Sequence, residues 1–129
     1  MNESLIRLRM ASGDAHYAGG LVDGARVLQL FSDAVTEILI RHDGDEGLMR
    51  AMNAEFLAPV WAGDYLEIRA ILTKVGNTSR TIECTAHKLI TPDLSGGSAA
   101  QLLAEPQLVT KALATAVVPL DKQRVVKPR

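Results

Sequence analysis

The sequence predicts an α+β domain in which a curled antiparallel sheet wraps one long central helix. Three observations carry this. Within residues 21–41, apolar side chains at Val27, Leu28, Leu30, Phe31, Ala34, Val35, Ile38 and Leu39 follow the i, i+3, i+4, i+7 spacing of a helix buried over a wide face. Beyond residue 48 the apolar period drops to two. The two-period runs are separated by Gly63-Asp64 and Gly76-Asn77, and turns that short join antiparallel neighbours. A helix with one broad apolar face packs on such a sheet in layers.

In chain order, residues 4–10 alternate partly and read as a first strand, and the Gly-, Ser- and Asp-rich run 11–20 reads as a loop. Asp23 stands near the helix start, where an acid caps free amides and suits the dipole. Arg41 and His42 place cations at the helix end, and residues 42–47 form a turn. Residues 49–60 are a strand candidate ending near Pro59. Residues 65–74 alternate Leu66, Ile68, Ala70 and Leu72 against Glu67, Arg69 and Thr73. Residues 79–90 set Ile82, Cys84 and Ala86 against Thr81, Glu83, Thr85 and His87. Residues 92–106 are expected to be a mobile loop, and 108–118 a last strand.

A chain of 129 residues fits a single domain, with a core over 4–118 and a basic tail over 119–129. At 47% apolar it can bury a core, yet a chain of this size hides only about two-thirds of its unfolded surface. Pairing with a second subunit covers what remains, so a homodimer or a larger homo-oligomer (tetramer or hexamer) is expected. The 14 basic and 15 acidic residues balance to a net charge of −1, which argues against nucleic acid as a partner. The lone Cys84 excludes an internal disulfide and reads as a small buried hydrophobe. Charged and polar residues interrupt 25–40, which therefore does not span a membrane, and no secretory leader pattern opens the sequence. A cytoplasmic location is expected.

His16, His42 and His87 are dispersed, and neither a metal-ligand spacing nor a phosphate-binding glycine loop is present. Three segments remain. In residues 14–33 a glycine-rich loop enters the buried helix at Asp23-Gly24. Free N–H groups at a helix start suit a developing oxyanion, and Gly24 lets a carbonyl come close. Equally, Asp23 is a cap and the glycines only turn the chain. In residues 54–64, Glu55 precedes an apolar run and is either a solvent-facing strand residue or a carboxylate at a subunit interface. In residues 75–80, Gly76-Asn77-Thr78-Ser79-Arg80 is either a polar hairpin turn or a set of amide and hydroxyl groups beside a pantetheine arm, with Arg80 near phosphate.

Together these segments resemble the hotdog superfamily of acyl-coenzyme A enzymes over residues 4–118. Glu55-Phe-Leu-Ala-Pro-Val-Trp-Ala-Gly-Asp64 resembles the strand after the central helix, and Val75-Gly-Asn-Thr-Ser79 the turn and strand that follow. More narrowly, residues 7–26 and 39–47 are similar to the 3-aminobutyryl-CoA ammonia lyases of lysine fermentation and to β-alanyl-CoA ammonia lyase. Many hotdog thioesterases carry a second glycine where Asp23 stands, and that acid argues against plain thioester hydrolysis. The resemblance implies reversible loss of ammonia from a β-aminoacyl-CoA, with coenzyme A as part of the substrate and no other cofactor or metal. A hotdog thioesterase and a non-catalytic acyl-CoA-binding module are the alternatives. The expected catalytic residues are Asp23 and Glu55, with Glu55 as the base, and His16 or Tyr17 orienting the amine. Gly24, with Gly20 and Val22, is expected to line the oxyanion site.

Overall fold

The computed structural model describes residues 2–15, 17–93, 95 and 97–124. Its main elements are β1 (Glu3–Arg9), α1 (Gly24–Asp43), β2 (Leu48–Phe56), β3 (Tyr65–Val75), β4 (Ser79–Pro92) and β5 (Ala100–Val117). The strands form a five-stranded antiparallel sheet in the order β1-β3-β4-β5-β2. One face is apolar because its alternating positions are Leu66, Ile68 and Ala70 on β3, Ile82, Cys84 and Ala86 on β4, and Ala112, Ala114 and Ala116 on β5. On that face lies α1, which buries Val27, Leu30, Phe31, Ala34, Val35, Ile38 and Leu39. The alanines of β5, with Ala34, keep the layers close, and the large fully buried Phe31 and Ile38 fill the space between.

Several boundaries differ from the sequence expectation. The helix begins at Gly24 rather than residue 21. Leu21 instead bridges Trp61, the Val22 N–H donates to the Val60 carbonyl, and Asp23 is extended at ψ 137°. The helix also runs on to Asp43, where Gly44, at φ 78°, closes it with an N–H to the Ile40 carbonyl. The second strand ends at Phe56, because the N–H groups of Leu57 and Ala58 both turn to the Val109 carbonyl and Pro59 has none. Residues 92–106 are not one loop. The last strand starts at Ala100 and pairs Ile90 with Leu102, Thr91 with Gln101 and Pro92 with Ala100. Main-chain ladder bonds hold this stretch, and its exposed side chains hide it from a reading based on periodicity.

The helix end is fastened by a buried ion pair. Arg80 gives Nε to Asp43 Oδ2 at 2.9 Å and Nη2 to Oδ1 at 2.8 Å, and its Nη1 donates to the carbonyls of Gly76 and Ser79. Both side chains are 1% exposed or less. The tail meets the same point, with the Arg124 N–H on the Asp43 carbonyl at 2.7 Å. Residues 125–129 of the expected basic tail lie outside the described residues.

Cys84 faces the core, and burial pushes its thiol up from 9.0 to about 12. Its folded pKa lies above its unfolded one, so the stability it contributes is whole below pH 9 and lost as pH rises from 9 toward 12. A thiol reagent at pH 8 should leave the native protein unmodified and label it at once in denaturant. Rapid labelling of the native protein would show that the sheet opens locally.

Candidate active site

At the start of α1 the backbone amides are unevenly committed. The Ala25 N–H donates to Asp23 Oδ1 at 3.0 Å and the Arg26 N–H to the Asp23 carbonyl at 3.0 Å. The Gly24 N–H has no partner among the described residues. The Arg26 guanidinium holds Asp14 at 2.8 Å, which ties the preceding loop to the first helical turn. That loop turns at Gly19 and Gly20, both at positive φ, and the Gly20 carbonyl accepts the Ala62 N–H. The glycine loop and the residues after it therefore lie along residues 60–62.

Between these two segments opens a cleft of about 540 Å³. Tyr17, Asp23 and Gly24 border it on the helix side, Phe56 to Val60 form the far wall, and the buried Val27 and Thr110 line it more deeply. The Phe56 ring leans on Gly24, where a Cβ would sit 2.6 Å from its Cε1, so only glycine allows this approach with the ring in place. Tyr17 is about half exposed. His16, expected beside it, lies outside the described residues. Val22 lines the cleft with its side chain, but its N–H is committed to Val60.

A polar device braces the far wall. Buried Asp64 accepts the Trp61 N–H at 2.8 Å and the Thr91 hydroxyl at 2.6 Å, and lies 3.1 Å from Lys88 Nζ. Lys88 also donates to the Pro59 carbonyl at 3.0 Å. The sequence reading missed this network. Its signal was Lys88, which continues the buried register of Ile82, Cys84 and Ala86.

One expectation, Arg80 beside phosphate, needs correction, and within a single subunit Glu55 and Asp23 stand apart. Glu55 lies between Ala54 and Phe56, which face the helix side, so it projects from the opposite face, pairs in register with Lys111 and comes within 3.6 Å of its Nζ. There it borders a separate groove with Asn53, Glu83 and Thr85. Arg80 is not a surface cation beside phosphate, because its guanidinium is buried against Asp43. The whole segment Gly76, Asn77, Thr78, Ser79 and Arg80 sits at the C-terminal end of α1, on the order of 30 Å along a 20-residue helix from Gly24. Its carbonyls at Asn77 and Thr78 accept from Gln123 and Val118, which seats the tail.

Comparison with known proteins defines the class first. Residues 19–91 match the Thioesterase superfamily, and the chain belongs to that family of hotdog domains. The more particular likeness is to 3-aminobutyryl-CoA ammonia lyase of Acetoanaerobium sticklandii, 52% identical over 124 residues, which cover 95% of this chain and 98% of that one. Among solved structures, β-alanyl-CoA:ammonia lyase of Clostridium propionicum superposes with a TM-score of 0.92 at 33% identity, over 98% of this chain and 91% of that one. A hexameric hotdog-fold thioesterase of Campylobacter jejuni, 22% identical, shares the fold at a TM-score of 0.70, over 92% of this chain and 84% of that one. No helix among the described residues is long and apolar enough to cross a membrane.

Proposed function

We propose that this protein catalyses the reversible elimination of ammonia from a β-aminoacyl-CoA, converting 3-aminobutyryl-CoA to crotonyl-CoA. The observation that carries the reading is the pairing, in one cleft, of the Asp23 carboxylate with the uncommitted Gly24 N–H. The likeness to 3-aminobutyryl-CoA ammonia lyase along almost the whole chain supports it.

The chemistry follows from the thioester, which acidifies the neighbouring carbon. Asp23 takes the α-proton, and the electron pair moves onto the carbonyl oxygen as an enolate. The Gly24 N–H and the positive end of the helix dipole stabilise that oxygen. Collapse of the enolate forms the C=C bond and breaks the C–N bond, and the β-ammonium group departs with the C–N pair as neutral ammonia. Proton transfer neutralises Asp23 as the oxyanion forms, so the two negative charges never coexist. No redox step occurs, and coenzyme A takes part only as the body of the substrate. A cytoplasmic location fits a substrate carried on coenzyme A.

The unit at work is a homodimer or a larger assembly. The edge strand β2 leaves one row of backbone groups unpaired and exposes Leu48, Met49 and, at its end, Phe56 and Leu57 beside the cleft. A second copy pairing there covers both the ladder and the apolar side chains, and closes the cleft from outside.

Mixing the protein with crotonyl-CoA and ammonium should bleach the enone absorbance and yield a product heavier by one ammonia. Steady release of free thiol with no such adduct would identify a thioesterase instead.

A further inference from the structure

We propose that the Thr110 hydroxyl is a second oxyanion donor, acting with the Gly24 N–H on the thioester carbonyl. This rests on the reading of the cleft as a thioester site. The usual partner in such a hole is the next backbone amide, but the Ala25 N–H is held by Asp23 Oδ1. A second donor must therefore come from elsewhere in the cleft.

Six buried residues of the described chain are polar or charged: Ser4, Asp43, Asp64, Arg80, Lys88 and Thr110. Ser4 donates to Glu37, Arg80 and Asp43 hold each other, and Lys88 sits against Asp64 and the Pro59 carbonyl. Thr110 alone makes no side-chain hydrogen bond among the described residues, although it is 1% exposed. Nor is its oxygen sealed away, since the fully occluded, unpartnered side-chain atom among the described residues is His42 Nδ1. Thr110 lines the cleft.

Its placement suits the role. Thr110 pairs directly with Phe56 on β2 and Ala86 on β4, and so stands on the sheet face that looks toward α1. Phe56, its neighbour across the ladder, is the residue whose ring touches Gly24. Further along the same stripe of β5 come Ala112, Ala114 and Ala116, which offer no donor. A carbonyl oxygen entering between the helix start and β5 meets an amide from one side and a hydroxyl from the other.

The test uses Thr110→Val, which keeps the branched shape and removes the donor, and Thr110→Ser, which keeps the hydroxyl. The valine variant should lose about 10²-fold in kcat with KM little changed, because a donor to the developing charge acts in the transition state, and serine should restore most of it. A second reading needs no turnover: crotonyl-CoA bound to the wild type should show its enone band shifted to the red by carbonyl polarisation, and Thr110→Val should shrink that shift. Lost turnover with an undiminished red shift would place Thr110 on the amine instead and overturn the proposal, as would a valine variant equal to wild type in both readings. A wild type that shows the shift yet adds no ammonia would refute the lyase reading while leaving Thr110 as a carbonyl donor. Failure of the wild type to bind crotonyl-CoA would remove both.

Discussion

Asp23→Asn should cut the rate of ammonia addition to crotonyl-CoA by about 10²–10⁴-fold, the usual contribution of a positioned proton acceptor, while the protein stays folded. The two roles of Asp23 separate cleanly in this variant. As a cap, it accepts the Ala25 N–H through Oδ1, and an asparagine side-chain oxygen accepts the same bond. Asparagine and aspartate rank together as N-caps, so unfolding in urea should shift by no more than a few tenths of a kcal/mol. In its proposed role as base, it needs a carboxylate, and an amide takes no proton. Asp23→Ala loses both functions and should add about 1 kcal/mol of destabilisation to the same kinetic defect. Glu55→Gln supplies the contrast. Its carboxylate stands on the other face of the sheet beside Lys111, so its turnover should stay within a few-fold of wild type. An active Asp23→Asn beside an inactive Glu55→Gln would reverse the assignment and require β2 to deliver Glu55 to a cleft in the assembled protein.

The helix and the five strands, the last only in its second half, are legible because each depends on a local period. Heptad-like spacing from Val27 to Leu39 needs no partner to be recognised, and Gly63 and Gly76 mark reversals wherever the strands later pack. The site depends on parity and on contacts between distant residues, which are less visible. Glu55 belongs with Asn53 rather than with Phe56 only because strand side chains alternate, and the sequence does not say which set meets the helix. Arg80 closes a Gly-Asn turn and looks solvent-facing until Asp43, 37 positions earlier, is brought against it. Thr110 reads as one more β-branched strand former. It comes to the cleft only when β5 is threaded between β4 and β2 under the start of α1. Residues 100–102 fail for the opposite reason, since pairing with β4 keeps them in the sheet and no side-chain pattern announces it.

Arg80→Ala should lower the stability of the protein by about 3–5 kcal/mol, a large share of the roughly 5–15 kcal/mol that holds a domain together. The cost arises less from the lost attraction than from Asp43, left buried at 0% exposure with its guanidinium partner gone. His42 Nδ1, 3.1 Å from Asp43 Oδ2, is too poorly oriented to replace the two bonds from Arg80. The carbonyls of Gly76 and Ser79 also lose their donor, so the β3–β4 turn loosens together with the helix end. Removing both charges at once, as Asp43→Leu with Arg80→Met, should recover much of the loss, because apolar replacements leave no unpaired ion. Urea titrations of the single and double variants measure this directly. The same experiment decides what Arg80 is for. A phosphate contact would appear as a raised KM for crotonyl-CoA in Arg80→Ala at near-normal stability. A structural pair far from Gly24 predicts the reverse, an unchanged KM in the folded fraction and an unfolding midpoint that falls sharply.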